Sequence, residues 1–497
     1  MIALVAAGLV TRLFYIAYKP FWFDEAFSVE VARVSWPNFL HLLWWREANM
    51  SLYYVMLRAW LHVGQTPLLI RSLSAVFSAA SIAAVYWVGS VLYDRRTGFI
   101  AAGLCALNGY EIRYAQEARS YALFALLATL SSGFLVAFLK RPSTRGRRAY
   151  LLATILMVYA HFYGLLLIAA QWLALRCIAD SKIDDPDAER ADSSWTRHAV
   201  ELQKSWKVIA AAVAPLVIFV AKTGAGPIKW IKRPGLGDLI RFLTDITNGW
   251  NWLYVLACVL ALLPVGKRLL QRSRTWGQWR VQFVCIWLLL PIVLTVLLSF
   301  ARPVFLPRYM IFCLPALLLL TAAGLGSVRP VWLAAVLTAI VLLLSSRFVP
   351  YVYSHDFDNE RDASVAAAGF ILDHAGSGDA IIFHIAETRI PYEFVRSSRL
   401  KQNTASPKFE GNFGPEIVFP NHGPGLGYRD FTGKPTGDLL SSKLPPYSRV
   451  WLMLMNNGTA EKPDATTVML SQVVPQMFPK MQHWQFAKVE VRLYSKE

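Results

Sequence analysis

Asp24 and Glu25 are adjacent acids that follow the first apolar run, inside the aromatic stretch Phe21-Trp-Phe-Asp-Glu-Ala-Phe27. A carboxylate at a membrane surface costs free energy unless a cation or metal ion pairs with it, so such acids are candidates for function. The alternative is the ordinary acidic first turn of a helix. The aromatic surroundings favour a catalytic or cation-binding pair.

The segment Tyr114-Ala-Gln-Glu-Ala-Arg-Ser-Tyr121 lies between two further apolar runs. Glu117 could act as a second catalytic acid or as a metal ligand, while Arg119 and Tyr121 could bind a substrate. A structural Glu–Arg pair explains the segment equally well. The spacing alone leaves both interpretations open.

Two more groups lie at the ends of apolar runs, namely His161 with Tyr163, and Arg308 with Tyr309. A single histidine in apolar sequence is usually a core residue, but histidine also binds metals and substrates. An arginine can hold a phosphate through two hydrogen bonds, or it can extend to the lipid headgroups. Four such groups on one membrane face would suit group transfer from an anionic, lipid-borne substrate.

Eleven apolar segments could bring these groups to one face of a membrane. A span needs about 20 apolar residues, and fewer where a helix is short or broken inside a bundle. Basic residues on both sides of 149–177 predict a hairpin there. The candidate spans are 1–19, 67–92, 98–110, 121–139, 150–160, 163–177, 207–221, 252–266, 281–300, 309–325 and 331–348.

The distribution of Lys and Arg among the loops predicts the orientation, since cytoplasmic loops are enriched in both. The basic loops are 94–98, 140–148, 176–207, 267–280 and 325–330, and the less basic ones are 20–66, 111–120, 222–251 and 301–309. The first set is therefore predicted to be cytoplasmic. The N-terminus then lies inside, and everything after Val349 lies outside.

The predicted fold is an α-helical polytopic membrane protein with a small exported α/β domain. Residues 1–349 form the transmembrane catalytic domain, and the apolar, Trp-containing loop 20–66 is predicted to form two helices on the membrane surface. Residues 350–497 are mixed and polar, with many Pro and Gly. They predict a helix at 363–373 and strands at 380–384, 450–455 and 488–494.

Composition supports a membrane protein and disfavours a nucleic-acid-binding one. The chain is 55% hydrophobic and only 16% charged, against about 25% charged in soluble domains. Its net charge of +18 comes from short basic clusters between apolar runs, which indicate topology and contacts with lipid headgroups. The five cysteines lie in or beside apolar segments, which favours buried thiols over disulfides.

At these residues the sequence resembles the GT-C glycosyltransferases, especially protein O-mannosyltransferases and bacterial lipid A aminoarabinose transferases. The resemblance covers the layout of residues 1–350. Its motifs are Asp24-Glu25, Leu52-Tyr53-Tyr54, Gln116-Glu-Ala-Arg-Ser-Tyr121 and Pro307-Arg-Tyr309.

The resemblance implies a polyprenyl-phosphate sugar donor, inversion at the anomeric carbon and a lipid, glycan or protein acceptor. Asp24 matches the base that acts on the acceptor hydroxyl, with Glu25 and Glu117 as further acids. Substrate-binding roles are implied for Tyr53, Arg119, Tyr121, His161, Tyr163, Arg308 and Tyr309. The enzyme would be a hexosyl- or pentosyltransferase, similar to mannosyltransferases, in the cell membrane.

The sequence differs from the motifs of these glycosyltransferases at one place, where a positive charge is missing. Relatives often carry His-Pro-Pro or Lys-Pro-Pro before Leu-Tyr-Tyr, whereas this chain has Asn49-Met50-Ser51. The loss of a cationic group there leaves open whether a divalent metal ion takes part, with Asp24, Glu117 and His161 as its candidate ligands.

Two other functions fit parts of the sequence. A transporter or flippase of lipid-linked saccharides would also have many spans and inward-facing acids, but such proteins usually place polar groups near the bilayer midplane. A non-catalytic scaffold would use the exported domain to bind partners.

Overall fold

The computed structural model describes residues 1–178, 193–223, 231–264, 266, 275–354, 361–376, 378–403, 414–420, 426, 433–455 and 463–497. The chain divides into two compact units. The first, here the helical unit, contains Met1–Ile16, Trp45–Met56 and Val63–Ser354. The second, here the α/β unit, contains Ala17–Trp44, Leu57–His62 and His355–Glu497.

The α-helices of the described residues up to Tyr353 are α1 Ile2–Leu13, α2 Phe23–Arg33, α3 Trp36–Trp45, α4 Ser51–Trp60, α5 Pro67–Leu92, α6 Arg95–Ala106, α7 Gly109–Ala115, α8 Tyr121–Lys140, α9 Thr144–Ala160, α10 Gly164–Arg176, α11 Ser193–Lys204, α12 Trp206–Thr223, α13 Leu236–Ile246, α14 Asn251–Leu262, α15 Trp276–Ala301, α16 Leu314–Ser327, α17 Val331–Ser346 and α18 Val349–Tyr353. Short 3-10 helices occur at Ala48–Met50 and Pro307–Cys313.

Each of the eleven predicted apolar segments overlaps a helix. In the described part of the chain, six helical stretches are long and apolar enough to cross a membrane, and α1, α10 and α14 are shorter apolar helices. The protein is therefore a multi-pass membrane protein. The count of eleven spans and the orientation stay predictions, and parts of the basic loops 176–207 and 267–280 lie outside the described residues.

Small residues permit close helix packing in the helical unit. A Cβ on Gly89 of α5 would lie 2.7 Å from the Cα of Gly98 on α6, and a Cβ on Gly324 of α16 would lie 1.8 Å from the carbonyl oxygen of Ala257 on α14. Side chains at these positions would force the helices apart. Glycine at such crossings is typical of membrane bundles, where packing replaces the hydrophobic effect.

The first loop contains three α-helices, α2, α3 and α4, where two were predicted. Residues Glu25 to Ala32 of α2 are all buried, so this stretch of the helix has no solvent-exposed face. A helix that is buried all round lacks the amphipathic period that reveals a surface helix. Helix α2 belongs to the α/β unit.

The α/β unit contains a five-stranded sheet in the order β2-β1-β3-β5-β4. Its strands are β1 Ala380–Phe383, β2 Glu416–Phe419, β3 Arg449–Met455, β4 Lys480–Phe486 and β5 Val489–Ser495, and its later helices are α19 Ser364–His374, α20 Arg389–Asn403, α21 Gly437–Lys443 and α22 Ala465–Met477. Strand β1 pairs in parallel with β2 and β3. Strand β5 runs antiparallel to β3 and β4.

Alternating side chains of the central strands enter two separate cores. Ile381 and Phe383 of β1 pack on the face covered by α19 and α20, whereas Ala380 and Ile382 pack on the face covered by α21 and α22. The sheet is therefore the middle of three layers. The predicted helix and three strands coincide with α19, β1, β3 and β5, while the boundary at 349/350 stays a prediction.

Candidate functional site

The loop between α7 and α8 carries Glu117 and Arg119. A tight turn forms there because the Arg119 amide donates to the carbonyl of Glu117 at 2.8 Å. The side chain of Gln116 fixes the turn by donating to the carbonyls of Arg12 at 3.1 Å and Phe14 at 2.6 Å. Glu117 and Arg119 are both buried.

His161 and Tyr163 form the connection between α9 and α10, as the predicted hairpin requires. The amide of Gly164 donates to the carbonyl of His161 at 2.9 Å. Asn49 accepts a hydrogen bond from the Phe162 amide at 2.9 Å. Asn49, where the sequence resemblance predicts a cationic residue, therefore connects this hairpin to the first loop.

Arg308 and Tyr309 begin the 3-10 helix that leads into α16. The loop before them is shaped by Ser299, whose hydroxyl oxygen accepts the amides of Val304 and Phe305 at 3.2 and 3.1 Å. The hydroxyl of Tyr163 donates to the carbonyl of Val304. This contact joins the hairpin to the Arg308 loop.

These three loops meet at one end of the helical unit. The His161 ring lies 4.6 Å from that of Tyr309, 5.2 Å from that of Tyr163 and 6.3 Å from that of Tyr121, measured between centroids. Phe124 stacks on His161 at 5.1 Å. We call Arg119, Tyr121, His161, Tyr163, Arg308 and Tyr309 the arginine–tyrosine cluster.

Two guanidinium groups act on the His161 ring of the arginine–tyrosine cluster. Burial, together with the guanidinium groups of Arg119 and Arg308, lowers the pKa of His161 to about 3. The imidazole is therefore neutral near pH 7, and the two arginines carry the charge. Helices α8 and α10 begin in these loops, and helix N-termini attract anions. The arrangement suits an anionic group such as a phosphate.

Tyr53 connects to the same region through the backbone. Its hydroxyl lies 3.0 Å from that of Ser74, and the Ser74 hydroxyl donates to the carbonyl of Arg119 at 3.2 Å. Tyr53 is fully buried. In the described structure these bonds give it a supporting role, and direct substrate contact by Tyr53 stays a prediction.

The sequence interpretation missed three aromatic residues beside the cluster. Tyr114 lies between charges: burial raises its pKa to about 12, the charge of Glu117 adds to this, and Arg113 and Arg308 oppose it. Tyr110 packs against Tyr114 at 4.9 Å and donates its hydroxyl to the carbonyl of Pro307. With Phe124, these residues continue an aromatic wall, but aromatic residues in apolar segments give no signal that separates a site from a core.

Asp24 and Glu25 lie in the first turn of α2, in the α/β unit. The carboxylate oxygens of Asp362 accept the Phe23 amide at 3.2 and 3.3 Å and thereby cap this helix. Burial raises the pKa of Asp362, and the nearby charge of Asp24 adds to that rise. The proximity of Asp24 to the arginine–tyrosine cluster stays a prediction.

Helix α2 is anchored to α20. Phe21, just before the helix, stacks on Phe394 at 5.0 Å. At its other end Arg33 donates to the hydroxyl of Ser397 at 2.9 Å. The segment that carries the two acids is thus part of the fold of the C-terminal α/β unit.

The donor atoms of the arginine–tyrosine cluster fit a divalent cation poorly. Glu117 and His161 are residues of metal-ligand type in this region, but the guanidinium groups of Arg119 and Arg308 repel a dication. Among the described residues no group of three or more His, Cys, Asp or Glu has the geometry of a metal site.

Solved structures share the fold of this chain. ArnT from Cupriavidus metallidurans in the apo state matches 100% of this chain and 98% of its own, with a TM-score of 0.59 at 12% identity. The same protein bound to undecaprenyl phosphate matches 99% and 97%, with a TM-score of 0.57 at 13% identity. No family model and no curated protein sequence matches the chain.

Two larger proteins match as well. The Archaeoglobus fulgidus oligosaccharyltransferase in complex with Zn and sulfate gives a TM-score of 0.53 at 11% identity over 91% of this chain and 67% of its own. The mycobacterial arabinofuranosyltransferase AftD gives 0.54 at 13% identity over 100% of this chain and 40% of its own. The resemblance to GT-C glycosyltransferases is therefore confirmed for the fold.

Proposed function

We propose that this protein is a membrane glycosyltransferase that moves a sugar from a polyprenyl-phosphate donor to an acceptor hydroxyl. Transfer would occur at the extracytoplasmic face, with inversion and with Asp24 as the base. The observation that carries the proposal is the pair of arginines, Arg119 and Arg308, that flank His161 at the ends of apolar helices.

The donor class is supported by what fold neighbours bind. ArnT was solved with undecaprenyl phosphate, and the Archaeoglobus oligosaccharyltransferase AglB with a dolichol phosphate, at a TM-score of 0.51 and 8% identity over 91% of this chain. Both ligands are long isoprenoid phosphates. Arg119 and Arg308 supply the charge that such a phosphate requires.

The position of the cluster favours an enzyme over a transporter. Arg119 lies just before α8, His161 between α9 and α10, and Arg308 after α15. Transport sites usually lie near the bilayer midplane, at breaks inside spanning helices. Groups at the ends of several helices instead suit chemistry at a membrane surface.

The reaction follows from the leaving group. A phosphate leaves from the anomeric carbon without a general acid, provided that cations stabilise its developing charge, and Arg119 and Arg308 would do so. Asp24 would take the proton of the acceptor hydroxyl as its oxygen bonds to the anomeric carbon. The bond to the phosphate oxygen breaks on the opposite face, which inverts the configuration. The transition state would resemble an oxocarbenium ion, by analogy with glycoside hydrolysis.

No metal ion enters this scheme. Zn is present in the Archaeoglobus neighbour, but the cluster described above supplies its cationic charge through arginine. Glu117 would orient the arginines or the acceptor, and Glu25 would be a second acid beside Asp24.

A panel of polyprenyl-phosphate sugars tests the proposal. Purified protein in lipid nanodiscs is incubated with hexosyl and pentosyl donors in the presence of lipid, glycan and peptide acceptors that carry free hydroxyl groups, and free polyprenyl phosphate is measured by mass spectrometry. We expect consumption of at least one donor by the wild type and consumption that is about 100-fold to 10,000-fold slower by Asp24→Asn. Equal consumption by both proteins would contradict the mechanism, and the absence of consumption across the panel would contradict the function.

Labelling of single cysteines tests the sidedness. A membrane-impermeant maleimide added to intact cells should reach positions 66 and 480, and it should reach position 144 only after permeabilisation. Labelling of position 144 in intact cells would reverse the predicted orientation.

A further inference from the structure

The hairpin between α9 and α10 holds His161 in one fixed position. The Gly164 amide closes the turn on the His161 carbonyl, and Asn49 holds the Phe162 amide. A Cβ on Gly164 would lie only 3.2 Å from the Cα of Val158, so a larger residue would disturb the turn. The imidazole orientation is thus set by backbone geometry.

The same turn determines which ring nitrogen carries the proton. The backbone amide of Tyr163 donates to Nδ1 of His161 at 3.2 Å. An amide N–H can only donate, so Nδ1 must accept and cannot carry a proton. An imidazolium carries protons on both nitrogens, so an accepting Nδ1 also means that the ring is neutral and that its one proton is on Nε2.

The Nε2–H group is buried and has no hydrogen-bond acceptor among the residues that the structure describes. The His161 side chain is fully buried and is surrounded by the rings of Phe124, Tyr163 and Tyr309. A buried polar group without a partner is rare and costs free energy. An acceptor supplied by a ligand would satisfy it.

The neighbouring charges specify the kind of acceptor. The guanidinium groups of Arg119 and Arg308 act on the His161 ring, and this nearby positive charge favours an acceptor that belongs to an anion. A metal ion on Nε2 would require the proton to move to Nδ1, where it would face the Tyr163 amide, donor against donor.

We propose that His161 donates its Nε2–H to a non-bridging phosphate oxygen of the lipid-linked donor and stays neutral throughout the reaction. This inference rests on the proposed function and assigns a ligand to one atom. His161 is then a phosphate-binding residue, neither a metal ligand nor a proton-transfer group. Binding should consequently show no inflection between pH 5 and pH 8 that depends on His161.

Binding of undecaprenyl phosphate to the full chain in phosphatidylcholine nanodiscs tests the assignment. His161→Phe keeps a ring in the aromatic surroundings but removes the donor, and it should weaken binding about 10-fold to 100-fold. His161→Gln retains an N–H donor and should recover most of the loss. His62→Phe, at an exposed histidine, is the matched control and should bind like the wild type. Thermal unfolding of each variant checks that it is folded.

The nitrogen NMR spectrum of histidine-labelled protein provides a second, independent readout. The signals absent from His161→Gln identify the ring, which should show a bare Nδ1 and a protonated Nε2, and the Nε2 signal should move on addition of undecaprenyl phosphate. An equal shift with phosphatidylglycerol would assign the site to bilayer phosphate and overturn the donor assignment. A protonated Nδ1, or His161→Phe binding within twofold of the wild type, would also overturn it.

The two failures are distinguishable. If the wild type binds undecaprenyl phosphate and His161→Phe binds it equally well, this inference fails while the proposed function stands. If the wild type neither binds undecaprenyl phosphate nor consumes any polyprenyl-phosphate sugar, the proposed function fails as well.

Discussion

Asp24→Asn is the substitution that separates catalysis from folding most cleanly. The side chain keeps its size, and the helix start does not depend on it, because Asp362 caps the Phe23 amide. Loss of a negative charge in the first turn of a helix costs about 0.3 to 1 kcal/mol. The pKa of Asp362 is raised by burial first and by the charge of Asp24 in addition, so removal of that charge offsets part of this cost. We expect nearly unchanged thermal stability.

The effect on transfer should be much larger than the effect on stability. Removal of a general base lowers the rate by about 100-fold to 10,000-fold, so kcat/KM for the acceptor should fall by that factor. Donor binding should change little, because in this mechanism the phosphate is held by arginine. The assay is the release of polyprenyl phosphate under single-turnover conditions, with donor binding measured separately.

A matched control lies in the same unit. Asp438 occupies the first turn of α21 and is exposed, so Asp438→Asn makes the same chemical change at an equivalent helix position. It should leave kcat/KM within twofold of the wild type. A folded Asp24→Asn protein that retains more than half of the wild-type kcat/KM would refute Asp24 as the base.

Three further predictions concern other parts of the molecule. Arg308→Lys keeps the positive charge but loses the paired N–H groups of a guanidinium, so KM for the sugar donor should rise about 10-fold. The control Arg302→Lys, at an exposed arginine of the same loop, should not change this KM. Equal effects of the two substitutions would argue against phosphate binding by Arg308. Treatment with EDTA should leave transfer within twofold, whereas a loss that Mg²⁺ or Mn²⁺ restores would show that a metal ion is required. Asp464→Ala should destabilise the α/β unit by about 2 kcal/mol in chemical denaturation, because Asp464 caps α22 through the Thr466 amide at 2.9 Å and meets His384 Nε2 at 2.8 Å. Burial alone would raise the pKa of Asp464, but the hydrogen bond from Thr467 and the charge of His384 hold this pKa at about 2. The stabilisation by Asp464 should therefore be present above the ordinary pKa near 4 and lost as the pH falls toward 2. An Asp464→Ala protein as stable as the wild type at pH 7 would contradict this prediction.

The sequence indicated the two arginines of the cluster, and the nearby Glu117, because charge is conspicuous in apolar sequence. Glu117, Arg119 and Arg308 each interrupt long apolar stretches, where an ionisable residue is costly and therefore informative. The hairpin at His161 followed from basic residues on both of its flanks. The helix positions followed from hydropathy, which dominates the partition of a chain into a membrane.

The sequence did not reveal those helices and strands in which polar and apolar residues follow no regular spacing. Helix α2 is buried along most of its length, β2 changes from exposed to buried along its length without alternation, and β4 is largely exposed along its length. None of these shows the alternation or the amphipathic face on which sequence interpretation depends. The place of Asp24 in the α/β unit could not be predicted for a different reason. The contacts that hold its helix there, of Phe21 with Phe394 and of Arg33 with Ser397, join residues more than 300 positions apart.

The departure from the family motif at Asn49-Met50-Ser51 has a physical explanation. Asn49 accepts the Phe162 amide, and this bond fastens the hairpin that presents His161. A cationic side chain at position 49 could not accept that hydrogen bond. The chain thus uses this position to hold a neutral N–H donor in place, and the positive charge that a phosphate needs must come from Arg119 and Arg308. Substitutions at the two arginines should accordingly change the charge dependence of donor binding, whereas substitutions at Asn49 should act through the geometry of the hairpin.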